Sequence, residues 1–452
     1  MDSPKINRRD FLKAGLGLGA AALGVGAAAE LAACGGPASS AAATGDAAVI
    51  TDSSTDAGLT TIAVSTDQLI DGTGFTEVPL ETYLVQSASY QLPRGCLLYQ
   101  ATPSTALVLA PAGEGKELVY FALLDLDTGK MEDILHGSVG ASAATTAAAA
   151  AATAATPSST ATAAAATPTS AAFADAILYD ARASESALVW TEFDLSSQAW
   201  QVYAASLSGA ALGDPTLLDQ GTSDYEVPKL CVSGAKVYWQ VMPNASGAAQ
   251  YQNSYLKAAV LGAQAPYIVY TSHGRMSTQP LASGKVLSFV PRVDSKNVYY
   301  RLAALSVDDD QPVASEIMPQ SMKVSDAIYL DPGFAFGIEA TYTAVGGIGA
   351  YGTYQELANA QWLFFPRPPF AAALAISATA GQLTVLKSSL SVVGLDVANK
   401  SYCLITPPSD CEDYGDAPSG WGAVDRIVLY TNTKATTANI TQATIVRIFT
   451  PN

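Results

Sequence analysis

Histidine is almost missing from this chain, which holds two in 452 residues, and that scarcity sets aside most imidazole chemistry. A Ser-His-acid hydrolase needs a nucleophile beside an imidazole. Only His136 and His273 could supply one, and no Gly-x-Ser-x-Gly elbow accompanies them. Two histidines and no closely spaced cysteine pair also argue against a structural zinc or haem site. Positive charge is short too: 23 Lys and Arg face 40 Asp and Glu, for a net charge of −17. Without a basic stripe to reverse that balance the surface repels phosphate backbones, so nucleic acid is not an expected partner. Past residue 30 no apolar run is long enough to span a bilayer.

What is present begins with an address. Asn7-Arg8-Arg9-Asp10-Phe11-Leu12-Lys13 sets two arginines before an aromatic, a leucine and a lysine, and the next sixteen residues are apolar and uncharged. That order marks a targeting peptide. It resembles the bacterial twin-arginine (Tat) export signal, with Arg8, Arg9, Phe11, Leu12 and Lys13 on the motif and Asn7 where Ser or Thr is usual. Leu31-Ala32-Ala33-Cys34-Gly35 resembles a lipoprotein lipobox, which implies removal of residues 1–33 and acylation of Cys34. The resemblance places the body on the extracytoplasmic face of the cell membrane, held by acyl chains at about 0.8 kcal/mol per buried CH₂.

Two stretches cannot bury enough apolar surface to offset their ordering entropy. Residues 34–58 read as a flexible tether. All 32 residues of 141–172 are Ala, Ser, Thr or Pro, with Pro157 and Pro168 interrupting any helix the alanines start. This segment reads as an exposed insertion, a tolerated loop expansion before a glycan-bearing spacer.

The remaining body, 59–452, is a succession of short runs rich in Val, Leu, Tyr and Trp between Gly, Asp, Asn, Ser and Pro turns, with almost no helical periodicity. One unit recurs, a strand end entering a hairpin turn, around positions 126, 207, 261, 307 and 397; setting the insertion aside and counting the last interval of 90 as two units, the spacing is about 45 to 54 residues. Pro228 to Trp239 and Pro280 to Ser288 each add a strand, a Ser-Gly turn and a second strand. A four-stranded unit at that period is what a propeller blade needs, because each sheet has two faces to cover and stacks a neighbour on both. The rhythm resembles bacterial β-propellers of the WD40-like and TolB-like kind, without their dipeptide signatures. The expectation is an all-β propeller of four-stranded blades, seven from anchors near 126, 207, 261, 307, 352, 397 and 446, with six or eight compatible; a pair of β-sandwiches is the other architecture this length allows. Residues 443–449 should lie inside the last sheet, with residues 59–65 as its outer strand.

In a propeller, the connections from the last strand of one blade to the first of the next gather on one face. Asp224, Tyr225, His273, Arg275, Asp413, Tyr414 and Trp421 fall in such connections and are the candidate ligand-face residues; His136 reads as a solvated loop residue. Asp308-Asp309-Asp310 and Asp410-Cys411-Glu412-Asp413-Tyr414-Gly415-Asp416 could offer oxygen ligands, which makes Ca²⁺ the only cofactor to consider, off EF-hand spacing. No Ser-x-Asp-x-Gly-x-x-Trp box of the sialidase kind is present. Cys403 and Cys411 stand eight apart and are candidates for a disulfide in an oxidising compartment, whereas Cys96 and Cys231 read as buried thiols. Tyr and Trp among mixed charges suit contacts with a protein or a glycan. The body therefore reads as a binding or scaffolding module, the alternative being an extracellular enzyme that cleaves glycans or peptides with channel carboxylates.

Overall fold

The computed structural model describes residues 69–71, 74–113, 116–141, 173, 175–293, 300–317, 324–329, 333–338, 347–353, 361–366, 378–380, 383–387, 392–396, 398–412, 417, 424–434 and 442–452. Within them the chain is a β-propeller. Six sheets of four or five strands follow in order, numbered here as blades 1 to 6 and spanning residues 97–136, 176–221, 229–272, 281–317, 324–366 and 378–405. A seventh sheet of three strands joins the chain ends.

Each blade is built from consecutive antiparallel strands, as in blade 3, where Lys229–Ser233, Lys236–Val241, Ser254–Val260 and Gln264–Ser272 pair in sequence. The first strands of blades 1 to 5 touch from blade to blade and are the inner ones. Both faces of a middle strand are covered by neighbouring blades, so Ala187–Asp194 and Lys236–Val241 are buried along their whole length. That is why apolar residues stand consecutively in them, at 187–190 and 237–239, instead of alternating. Trp190, Trp200 and Trp239 are fully buried in these interfaces.

The anchors at 126, 207, 261, 307, 352 and 446 fall on the third strand of a sheet or one residue past it, and 397, outside the described residues, follows Val392–Asp396 directly. Several of these turns share one geometry. An Asp at the strand end accepts backbone N–H bonds from the turn, as Asp125 does from Asp127 (3.0 Å) and Thr128 (2.7 Å) and Asp396 from Asn399 (3.0 Å), the Asx-turn that competes with a continuing strand. The fifth turn residue is left-handed: Gly129 (φ 72°), Asp310 (φ 58°) and Lys400 (φ 49°), with Gln198 (φ 58°) repeating it in the second hairpin of blade 2. The Ser-Gly turns link blades: Ser184 Oγ donates to the Gly234 carbonyl of blade 3 (2.7 Å), and Ser233 Oγ to the Gly284 carbonyl of blade 4 (3.1 Å).

The ring closes differently from the expectation in one respect. Ala443–Pro451 does lie inside the last sheet, but its outer neighbour is Leu84–Pro93, paired through nine register positions, with Ile427–Asn432 on the inner side. Residues 59–65 lie outside the described residues. Among the described residues the fourth, inner position of this sheet is held by a single bridge, Cys411 to Thr433, so the propeller has six full blades, one of the compatible counts, where the anchors favoured seven. Upstream of it, Leu69–Asp71 and Thr76–Glu77 add parallel fifth strands to blades 5 and 6.

The closing strand grips blade 1 through Tyr90, whose hydroxyl donates to the Leu126 (3.1 Å) and Asp127 (2.8 Å) carbonyls of the turn that ends in Gly129. A Cβ on Gly129 would stand 2.2 Å from Tyr90 Cδ1. The equivalent left-handed positions carry Gln198, Asp310 and Lys400, so the turn itself tolerates a side chain; the Tyr90 ring is what demands glycine here. Gly129→Ala is expected to cost about 1–3 kcal/mol in urea unfolding, whereas Gln198→Gly in the same backbone geometry should leave stability within about 0.5 kcal/mol.

Candidate functional site

Strands alternate in direction, so the second hairpin of a blade opens on the same face as the connection to the next blade. On that face the 222–228 connection, the 242–253 hairpin of blade 3 and the 273–280 connection meet. Tyr225 forms an antiparallel bridge with Pro243, Asn244 N–H donates to the Asp224 carbonyl (3.0 Å), and Glu226 N–H donates to the Met242 carbonyl (2.9 Å). The Tyr225 hydroxyl donates to Gln252 Oε1 (2.7 Å). Arg275 reaches across from the next connection to pair with Glu226 (2.7 Å), and its other nitrogen donates to the Pro243 carbonyl. A charge-assisted contact of this kind fixes loop register. Tyr251 stands at the hairpin tip with 86% of its surface exposed.

Asp224, Tyr225 and Arg275 are thus brought together, cross-braced rather than loose. His273 opens the same connection as Arg275, and its backbone N–H donates to the Arg292 carbonyl of blade 4 (3.1 Å). Asp413, Tyr414 and Trp421 lie outside the described residues. Glu226, the carboxylate that holds Arg275, is not among the sequence candidates, although it stands next to Tyr225 in the same connection.

Behind this mouth is an inner wall that sequence reasoning passed over. In the first strand of blade 2, Ala176–Ala183, register slips between Leu178 and Asp180, so Tyr179 is the extra residue of a bulge, a device that re-aims a side chain. The Tyr99 hydroxyl holds the Tyr179 carbonyl (2.6 Å). Asp180 and Arg182 form a buried ion pair (2.5 Å), and Arg182 also reaches Gln279 at the start of blade 4 (3.4 Å). Half-buried Lys229 opens the first strand of blade 3. Burial pushes its ammonium below the usual lysine range, with Glu226 and Asp180 opposing and Arg275 and Arg182 adding to the fall. Burial, then the charges of Asp180 and Glu226, push the Tyr179 hydroxyl up to about 12, so it stays protonated. The visible signal was two opposite charges, Asp180 and Arg182, inside a run that otherwise reads as apolar core.

The other sequence candidates are occupied elsewhere. His136 ends the outer strand of blade 1 instead of sitting in a loop; it is exposed, stacks on Tyr120 (5.0 Å between ring centres) and approaches Asp133 (3.2 Å). In the 308–310 acidic run, Asp310 pairs with Lys236 (2.8 Å) and Tyr267 (2.7 Å), and Asp308 with Lys285 (2.8 Å). Among the described residues no group of three or more His, Cys, Asp or Glu is arranged to hold a metal ion. Cys403 and Cys411 are not joined: both are buried free thiols on different sheets. Cys403 packs against Gly394, where a Cβ would stand 3.0 Å from its Sγ, while Cys411 bridges to Thr433, so each thiol is held by its own sheet. Cys96 and Cys231 are buried free thiols, as their apolar surroundings suggested.

No family model matches the chain, and no curated protein does. Among solved structures it is similar to the β-propeller domain of the Trilobed protease from Pyrococcus furiosus, at 12% identity over 57% of this chain and 80% of that one, with a TM-score of 0.39. It is also similar to a prolyl endopeptidase, at 10% identity over 77% of this chain and TM-score 0.48; only 50% of that chain is covered. An oligogalacturonate lyase in complex with manganese gives 8% identity over 80% of this chain and 97% of that one, with a TM-score of 0.42. Likeness at these identities concerns the arrangement of strands and assigns no activity.

Proposed function

We propose that this chain is a lipid-anchored, extracytoplasmic binding propeller that engages a protein or glycan on the face where blades 2, 3 and 4 meet. The observation that carries this reading is the braced mouth itself: Arg275, Glu226, Tyr225 and Gln252 hold three connections in one register, with Tyr251 standing clear of them. Preorganised polar loops around an exposed aromatic lower the ordering cost of association. The export signal and Cys34 supply the address.

Glycan and peptide arrays probed with the purified chain test the binding half. Binding to members of one class is expected, with Arg275→Glu reducing it about tenfold or more, as loss of a charged interface anchor does. Turnover of an arrayed glycan or peptide would overturn the non-catalytic reading in favour of an enzyme. Membrane fractionation of Cys34→Ala tests the anchor: the protein should leave the membrane fraction, and retention with an intact signal would contradict acylation at Cys34.

A further inference from the structure

We propose that the open outer edge of blade 4 is a docking site for this chain's own residues 62–64, Ile-Ala-Val, which add a parallel fifth strand there, so that the segment upstream of the closing sheet straps three consecutive blades. The inference goes beyond the binding reading above and does not depend on it.

Two blades already carry the strap. Leu69–Asp71 runs parallel to the outer strand of blade 5, with Leu69 opposite Trp362, and Thr76–Glu77 runs parallel to that of blade 6, with Thr76 opposite Ser401. On blade 6, Thr76 N–H donates to the Lys400 carbonyl (3.0 Å), Val78 N–H to the Tyr402 carbonyl (2.9 Å), and the Tyr402 hydroxyl to Glu77 (3.1 Å). Followed upstream, the chain thus steps back one blade in seven residues. The same step from Leu69 reaches Ile62, outside the described residues, and the next blade back is blade 4. Its outer strand, Pro312–Ile317, ends a four-stranded sheet, and among the described residues nothing pairs with its outer edge. Successive blades repeat around the ring, so a link of four residues, 72–75, that carries the chain from blade 5 to blade 6 is matched by 65–68 between blades 4 and 5. Composition agrees. Polar Thr76-Glu77 stands opposite Ser401-Tyr402 and apolar Leu69-Ile70 opposite Trp362-Leu363; blade 4 presents Val313, 42% exposed, followed by Ala314, and Ile62-Ala63-Val64 supplies apolar, β-branched residues at that step. An extended segment that pairs its main chain with an open sheet edge also removes the hazard of leaving that edge bare. Residues 51–58 contain no such run, so the strap starts on blade 4, and the tether leaves the body at the rim of one of the three blades that form the mouth.

The test is disulfide cross-linking in the full chain, read by mass spectrometry of the linked peptides. Ile62→Cys and, for a register one residue later, Ala63→Cys are each combined with Val313→Cys or with Asp309→Cys, an exposed position in the preceding turn of the same blade; Thr76→Cys with Ser401→Cys is the reference for an existing fifth strand. A docked strand holds one register, and a disulfide needs a Cα separation of about 4.4–6.8 Å. One of the two strap cysteines should therefore bond to position 313 about tenfold faster or more than to position 309. Equal rates at 313 and 309, as a free tether gives, would overturn the proposal, and so would a cross-linked dimer, which assigns the strand to a second copy. Hydrogen exchange supplies an independent reading. The double variant Ala63→Pro, Val64→Pro removes two strap N–H groups, and the outward-facing amides of Pro312–Ile317 should then exchange about tenfold faster, while those of Gln264–Ser272 on the outer edge of blade 3 stay unchanged. Unchanged exchange on blade 4 would contradict a strand docked there. The melting transition should not move in this variant, because ring closure rests on Leu84–Pro93.

Discussion

A chain beginning at residue 94 is expected not to fold cooperatively, whereas one beginning at residue 69 should melt as the full chain does. The first lacks Leu84–Pro93, the outer strand of the closing sheet. Its loss strips the ladder from Ala443–Pro451 and uncovers an edge that natural sheets avoid leaving open. Leu84 and Leu92, buried at 1% and 5% exposure, would each forfeit about 1.5–3 kcal/mol of burial. The Tyr90 contacts to blade 1 and the Gly95 N–H bonds to Asn432 (3.0 Å) and Thr444 (2.9 Å) go or loosen with them. Summed, these approach the whole stability of a typical domain, about 5–15 kcal/mol. Circular dichroism during heating decides: a transition within a few degrees of the full chain's for the 94–452 fragment would show that closure does not depend on this strand.

The second large effect concerns Glu192, which is fully buried in the middle of blade 2. Its carboxylate accepts from Ser138 Oγ, the N–H groups of Val139 (2.7 Å) and Gly140 (2.8 Å), and Trp190 Nε1 (3.1 Å). Together these pin the stem from which the Ala-rich insertion departs; Asp194, two residues on, accepts from Asp175 N–H (3.2 Å) where the chain returns. Glu192→Ala removes the acceptor that these four donors share and should cost about 3–5 kcal/mol. Glu192→Gln, which keeps one acceptor oxygen, should cost less. Replacing residues 142–172 by a short Gly-Ser linker should leave the melting temperature nearly unchanged, because both stem contacts stay. An insertion deletion more damaging than Glu192→Ala would reverse these roles.

The blades were legible because their cause is local. The Asp-led turns and Ser-Gly hairpins are written in consecutive residues, and their spacing carried the period. Strands covered on both faces left short apolar runs such as 187–190, which read as core without any partner being named. The closing strand was not legible. Leu-Val-Gln-Ser-Ala-Ser-Tyr-Gln-Leu-Pro is outer and mostly exposed, so it lacks an apolar signature, and its partner lies some 350 residues away, which placed the seam too early in the chain.

The site divided along the same line. Asp224, Tyr225 and Arg275 could be grouped from the sequence because topology assigns connections to one face. Tyr179, Arg182 and Lys229 could not, since a bulge shifts register without changing composition, and a lysine opening an apolar strand looks like an ordinary strand end. The disulfide expected of Cys403 and Cys411 followed from their spacing and an oxidising compartment, and neither reveals that the two thiols belong to different sheets.

The central claim, that partners dock where blades 2, 3 and 4 meet, is tested most directly by placing a photo-reactive amino acid at Tyr251 or, on the outer rim, at Val313, and illuminating intact cells. The account predicts a discrete adduct from position 251 that disappears when Arg275→Glu is added, and none from position 313. An adduct from position 313, or one at position 251 indifferent to Arg275, would contradict it.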